Sequence, residues 1–441
     1  MCFQTGERTR NDPYPLKGTK YKRKEAAGLA IGRSCMRLVR KMKYIVILGD
    51  GMADEAQESL GGKTPLEAAK TPAMDALSAQ AEVGLLKTIP EGMSPGSDTA
   101  NLAVMGYNPR EYYTGRSPLE ALSIGVPMKD TDVAMRCNLV TLSEEEPYEK
   151  KRILDHSSSE ISTEDAAVLL EAVRAELENE TFQFYLGTSY RHCVIWTNGR
   201  VEKLIPPHDH LTEVIGDYLP ENQAILAMMK RSYEILANHP INLERKAKGL
   251  NPANSCWFWG AGTKPMVTSF EEKYGKKGVM ISAVDLLKGI AVGAGMRNVI
   301  VPGANGGLHT NYEGKAQAAV DALLKENADF VYVHLEAPDE MGHQGSLERK
   351  VQAIENLDER VIRIVKEQMD ASKEPYRMLV LPDHPTPLRI RTHTSDPVPY
   401  LLYDSTKKLG DGRAYGETSA KESGILREEG FRMMDVLLER N

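Results

Sequence analysis

Three apolar runs in this 441-residue chain each stop on a carboxylate, and that pattern limits the fold more than any other feature. Tyr44-Ile-Val-Ile-Leu-Gly-Asp50-Gly51 reads as a strand buried on both faces. Its Asp50 emerges at the carboxyl end, where open α/β sheets keep their sites. Phe330-Val-Tyr-Val-His-Leu-Glu-Ala-Pro-Asp339-Glu-Met-Gly-His343 leaves a strand and sets Asp339 and His343 four apart, so both can point at one cation. Met378-Leu-Val-Leu-Pro-Asp383-His384 ends a third strand on ligand types, and Thr392-His393-Thr394 follows on the next turn. A fourth segment, Pro95-Gly-Ser97-Asp-Thr-Ala-Asn101, runs from a Pro/Gly turn into an apolar helical stretch. This places Ser97 near a helix N-terminus, where the dipole favours an oxyanion; the plainer reading is an N-cap serine. A lone Asp at a strand end is more often a turn residue than a ligand, but six such groups at repeated strand ends argue against coincidence. Carboxylates and imidazoles without thiolates suit Zn or Mn, with Mg a weaker fit.

Elsewhere the pattern sets the architecture. From Gly278 onward strands and helices alternate: Val279 to Ser282, Val284 to Val292 helical, Asn298 to Val301, Tyr312 to Glu326 helical, Phe330 to Val333, Leu347 to Met369 helical, then Met378 to Leu381. Such βα repetition predicts an α/β fold with a largely parallel sheet covered on both faces. Between roughly Thr131 and Phe270 the texture changes to polar-bounded strands (Val133 to Leu142, Phe182 to Leu186, Arg191 to Thr197) and long helices, one capped by Ser162. We expect a catalytic body of residues 42–130 plus 271–441, with 131–270 as an inserted α+β cap.

Charge and cysteines narrow the function. Residues 1–41 hold eleven Lys/Arg against three Asp/Glu, so the remainder has 44 basic and 59 acidic residues, a net charge of −15. That body is a poor partner for nucleic acid. The basic segment lacks the apolar core of a secretory signal, and we expect a disordered extension, a targeting arm being the alternative. Mean hydropathy is −0.39, and no apolar run approaches the roughly 18 residues of a membrane span. Five cysteines, odd in number and widely spaced (Cys2, Cys35, Cys137, Cys193, Cys256), read as reduced cytoplasmic thiols.

These residues resemble a known family, the cofactor-independent phosphoglycerate mutases of archaeal type within the alkaline phosphatase superfamily. The resemblance runs from Met42 to the C-terminus. It is carried by Gly49-Asp50-Gly51-Met52, Gly62-Lys-Thr-Pro-Leu-Glu-Ala-Ala-Lys-Thr-Pro72, Pro95-Gly-Ser97-Asp98, Tyr113-Thr-Gly-Arg116, Glu336-Ala-Pro-Asp339-Glu-Met-Gly-His343 and Leu381-Pro-Asp383-His384-Pro-Thr-Pro387. It implies an alkaline-phosphatase-like sheet and two divalent metals. One would be held by Asp339, His343 and His393, the other by Asp50, Asp383, His384 and the Ser97 hydroxyl. Ser97 would be the nucleophile that becomes phosphoserine. The larger bacterial mutases carry Asn-Ser-Glu-Val-Gly-His around the serine, where this chain has Gly96-Ser97-Asp98-Thr99-Ala100.

The implied reaction interconverts 3- and 2-phosphoglycerate without bisphosphoglycerate, on a small phosphorylated substrate and with no nucleic acid or membrane partner. Alternatives are a phosphotransferase acting on homoserine and a metal-dependent phosphomonoesterase. A small anion needs cations opposite the metals: Arg136, His156, Arg191 and His192 in the insert, with Arg116 placed to hold a phosphate by bidentate contact. The Ser189-Tyr-Arg191-His192 and Asn254-Ser-Cys-Trp257-Phe-Trp259 runs match the family. Trp257 and Trp259 receive no role, and His334 is expected to be an ordinary core histidine. The sequence does not indicate the oligomeric state.

Overall fold

The centre of the molecule is the strand β1 (Lys43–Gly49), buried at every position. The computed structural model describes residues 41–265 and 268–440; the basic extension expected over 1–41 lies, but for Lys41, outside the described residues. Later strands are β2 (Glu82–Leu86), β3 (Val133–Leu142), β4 (Ile153–Asp155), β5 (Phe182–Thr188), β6 (Arg191–Trp196), β7 (Ser255–Thr263), β8 (Gly278–Ile281), β9 (Arg297–Asn298), β10 (Phe330–Leu335), β11 (Tyr376–Leu381), β12 (Val398–Asp404) and β13 (Leu426–Arg427).

An eight-stranded sheet has the order β13-β2-β12-β11-β1-β10-β8-β9. β1 pairs in parallel with both β10 and β11, which is why its sequence is apolar without alternation. Alternate side chains feed two cores. Ile45, Ile47, Val331, Val333, Met378 and Val380 pack under the helices Tyr312–Leu324 and Leu347–Leu357. Tyr44, Val46, Leu48, Tyr332, Leu379 and Leu381 face the helices Ser97–Val104 and Asp285–Gly293.

The sheet is largely parallel, as the βα repetition predicts, with the exception that β12 runs antiparallel to β11 and β2. After β11 the chain stays at the carboxyl edge through residues 382–397 and then returns, so the loop bearing Asp383, His384 and His393 remains at the edge where Asp50 emerges. Two further differences from the sequence reading have local causes. The run Asn298 to Val301 meets the sheet only at its start, through β9 and the Val299 N–H, which donates to the Met280 carbonyl at 2.9 Å, because β8 ends at Ile281; Ile300 is left 80% exposed. The helix expected over Leu347 to Met369 contains a π-helical turn, Asp358–Ile362, between Leu347–Leu357 and Arg363–Ser372. Asp358 there accepts the N–H groups of Ala73 (3.0 Å) and Met74 (2.7 Å) at the start of the helix Pro72–Ser78.

A second, antiparallel sheet has the order β4-β3-β6-β5, with β7 also on β3. All its strands fall between residues 133 and 263, and those of the large sheet fall outside that span. Its core includes Leu169 and Val173 from the helix Thr163–Leu177, whose N-terminus is capped by the Ser162 hydroxyl accepting the Asp165 N–H. The helix Arg116–Ser123 packs against Asp285–Gly293 so closely that a Cβ at Gly289 would lie 1.8 Å from the Leu119 carbonyl. Cys137, Cys193 and Cys256 are free and buried. Among the described residues no helix is long and apolar enough to cross a membrane.

Candidate metal and phosphoryl-transfer site

Asp50, the Gly51 turn, Asp339 and Asp383 meet at the carboxyl edge of the large sheet. Gly51 has φ +58°, and a Cβ there would fall 2.4 Å from Asp339 Oδ1, so the Asp-Gly pair is required by close approach as well as by the turn. The Gly51 N–H donates to Asp383 Oδ1 at 3.1 Å. Two sets of ligand-type atoms each lie within 4.8 Å of one another: Asp339, His343 and His393, and Asp50, Asp339 and His384. In the first, His343 Nε2 is 3.1 Å from both Asp339 Oδ2 and His393 Nε2, while its Nδ1 donates to the Arg391 carbonyl at 2.9 Å. That bond turns Nε2 toward Asp339, the side from which a shared cation would be held. In the second, His384 Nε2 lies 3.5 Å from Asp50 Oδ1, 3.4 Å from Asp383 Oδ2 and 3.1 Å from Ser97 Oγ. The resemblance pairs Asp50 and His384 with Asp383; the geometry adds Asp339, which belongs to both sets.

Ser97 is the first residue of its helix and Gly96 is the cap. The serine side chain points at His384 instead of capping, which is the difference from the N-cap reading.

Burial, then repulsion from Asp383, Asp339 and Glu336, pushes Asp50 well above the usual carboxylate range. Burial would raise Asp339 too, but hydrogen bonds from His343 and His393 hold it well below that range. Asp339 in turn pushes His343 up to about 9, and burial lowers His384. Asp50 Oδ1 is buried without a hydrogen-bond partner. Crowded carboxylates, imidazole Nε2 atoms turned toward them and an orphaned carboxylate oxygen are a donor set that fits divalent cations.

Several contributors were not legible in sequence. His334 is buried as expected, but its Nε2 donates to Asp50 Oδ2 at 2.8 Å and its Nδ1 faces Ser282 Oγ at 3.2 Å; this tautomer follows from the network, since burial lowers the imidazole to about 3 and keeps it neutral. Thr386 Oγ1 donates to Asp339 Oδ1. Lys350, wholly buried, donates to the carbonyls of Ala53 (3.3 Å) and Thr386 (2.8 Å) and to Asp54 (2.7 Å), tying the Asp50 turn to the Asp383 loop. Glu336 is pushed up to about 7 by burial and then by Glu340 and Asp339.

Glu336 also lines a cavity of about 230 Å³ whose wall includes Arg116, Glu120, Arg136 and Arg191. Glu120 binds both of the first two arginines, at 2.9 Å to Arg116 Nε and 2.7 Å to Arg136 Nε and Nη2. The four-residue spacing of Arg116 and Glu120 was the sequence signal for that pair. Arg136 lies 4.5 Å over the Trp259 ring, which gives Trp259 a role the sequence reading withheld. Arg191 and His192 are neighbours on β6, so they point to opposite faces. Arg191 pairs with Asn138 and shares the Arg136 face, whereas His192 pairs with Cys137. The His192 Nδ1 accepts the Gly187 N–H at 3.2 Å, and burial lowers the ring to about 4. His156 is outside the cavity wall, its ring 5.7 Å from Tyr190 and 6.0 Å from His208. Arg116, Arg136, Arg191 and His192 therefore all line this cavity, His192 from the other face of β6, whereas His156 does not line it.

Residues 78–242 match the family model of 2,3-bisphosphoglycerate-independent phosphoglycerate mutase. A relative from Geobacter sulfurreducens, named as a probable 2,3-bisphosphoglycerate-independent phosphoglycerate mutase, is 48% identical over 90% of this chain and all of its own length. The chain belongs to this mutase family. The mutase of Methanosarcina barkeri is 49% identical, covering 87% of this chain and 96% of that relative. The solved structure of a cofactor-independent phosphoglycerate mutase from Thermoplasma acidophilum aligns with TM-score 0.61 at 25% identity over 90% of this chain and 99% of the other. A Pyrococcus horikoshii protein aligns with TM-score 0.75 at 28% identity over 91% and 99%.

Proposed function

We propose that this member of the mutase family interconverts 3- and 2-phosphoglycerate through phosphorylated Ser97, without bisphosphoglycerate. The observation that carries the reading is Ser97 Oγ at a helix start, 3.1 Å from His384 Nε2 and beside two carboxylate and imidazole sets. One cation would be held by Asp339, His343 and His393, the other by Asp50, His384, Asp383 and Ser97. Divalent ions there, Mn or Zn before Mg, supply charge neutralisation and lower the pKa of the serine hydroxyl.

The chain's own residues do the rest. Ser97 Oγ gives up its proton and forms its bond to phosphorus as the bond to one glycerate oxygen breaks and that oxygen takes up a proton; a second transfer of the same kind, with the other glycerate hydroxyl losing its proton, returns the phosphoryl group and restores the Ser97 hydroxyl. Glycerate must stay bound in between. Arg116, Arg136 and Arg191 hold its charged groups, the substrate displacing Glu120 from the first two. Residues 131–270 act as a cap on the body formed by 42–130 and 271–441, excluding the water that would otherwise release phosphate. The confinement of the small sheet to residues 133–263 supports that division. We place the reaction in the cytoplasm, in keeping with free buried thiols.

Phosphorus NMR tests the reading. The Mn-loaded protein with 3-phosphoglycerate should develop the 2-phosphoglycerate resonance with no added bisphosphoglycerate. Inorganic phosphate as sole product would make it a phosphomonoesterase, and phosphorylation of homoserine from a donor, with no mutase signal, would make it a transferase.

A further inference from the structure

We infer that Asn101, held by Tyr332, is the positioning residue that locks the nucleophile helix to the carboxylate of Asp383; this rests on the metal reading above. Asn101 stands one helical turn after Ser97 on the same face. Its side-chain amide has two N–H bonds and both are used. One goes to the Ser97 carbonyl at 2.8 Å and the other to Asp383 Oδ2 at 2.8 Å. Its carbonyl oxygen accepts the Tyr332 hydroxyl at 2.6 Å. The amide orientation is thus dictated by its partners, since a flip would set its oxygen against a carbonyl and a carboxylate.

All three side chains, Asn101, Tyr332 and Asp383, are 0% exposed. Water cannot replace a lost partner there, so the geometry is held stiffly. The three residues come from three separate elements: the Ser97 helix, the middle of β10 and the loop after β11. Asp383 Oδ1 is already engaged by the N–H groups of Gly51 (3.1 Å) and His384 (3.0 Å). Oδ2 is the oxygen that also faces His384 Nε2, at 3.4 Å. Asn101 occupies one lone pair of Oδ2 and leaves the other for a cation, and through the Ser97 carbonyl it fixes how far the nucleophile stands from that oxygen. Partners that orient a ligand in this way commonly govern metal affinity by 10- to 100-fold.

The test uses Tyr332→Phe, which removes one hydroxyl, and Asn101→Asp, which sets a carboxylate against Asp383. Mn affinity of the metal-stripped protein is read by electron paramagnetic resonance, Tm of the stripped protein by circular dichroism, and kcat and KM with 3-phosphoglycerate. Tyr332→Phe should weaken Mn binding about tenfold or more and lower kcat by a larger factor than it changes KM, with the stripped Tm lowered by the unpaired Asn101 oxygen but still above the assay temperature; Asn101→Asp should be worse on both counts. Wild-type Mn affinity and kcat in Tyr332→Phe would overturn the inference, as would losses that only follow a fall in Tm. A wild-type protein that binds no Mn overturns the metal reading and this inference with it. Mn binding without phosphoglycerate turnover overturns the substrate reading alone.

Discussion

Ser97 is an unusual helix-start serine because its hydroxyl turns away from the main chain and toward His384. Ser97→Ala should therefore abolish phosphoryl transfer while leaving Mn binding by Asp339, His343 and His393 in place; full turnover in that variant would end the covalent reading. The arginines give a graded prediction. Arg136→Ala and Arg191→Ala should each reduce kcat/KM for 3-phosphoglycerate by about one to two powers of ten, from losing a charge-assisted contact of roughly 1.5 to 3 kcal/mol. Hydrolysis of a small aryl phosphate whose leaving group carries no charge, measured in parallel, should be spared. Asp50, Asp339 and Asp383 were legible in sequence because each interrupts an apolar run, a local signal. Asn101 and His334 were not, since Asp383, Tyr332 and Asp50 are brought to them only by the fold; of Glu120's two arginines only Arg116 was visible in its spacing, and Arg136 is supplied by the fold.

At the scale of elements, the π-helical turn at Asp358 delivers a carboxylate to the first N–H groups of the helix Pro72–Ser78. Asp358→Ala should destabilise the protein by about 1.5 to 3 kcal/mol in urea unfolding without altering KM. That turn escaped the sequence reading because one added residue barely shifts an amphipathic pattern already spanning several turns, and the direction of β12 escaped because strand orientation leaves no trace in composition. Glu417 joins the helix Glu417–Glu422 to the loops after β1, accepting from Thr64 Oγ1 (2.6 Å) and the Asp54 N–H (3.2 Å). Burial raises it from 4.5 to about 7. The folded state then keeps a proton that the unfolded chain loses above 4.5, so this carboxyl favours folding below 4.5 and its contribution is lost as pH rises to about 7. In Tm measured against pH, Glu417→Gln should fall away less than the wild type across that window.

The molecule as a whole gathers carboxylates that repel one another, and cations are what would relieve them. Chelation should abolish turnover and lower Tm, and Mn should restore both better than Mg; at a hundredfold excess over Kd the bound ion adds about 2.7 kcal/mol of stability. Equal rescue by Ca would count against the imidazole ligands. Removing residues 1–40 should leave kcat and KM unchanged, because every residue assigned above lies beyond them. One feature of the large sheet bears on how the chain is made. Among the described residues β1 is the earliest strand in the sequence, seven residues with no exposed position in the finished protein, yet both its neighbours, β10 and β11, are encoded some 280 or more residues later. A nascent chain must carry that sticky, unpaired segment through most of its synthesis, so release from a chaperone and slow, late protection of the β1 amides in pulsed hydrogen exchange are the expected signature of its birth.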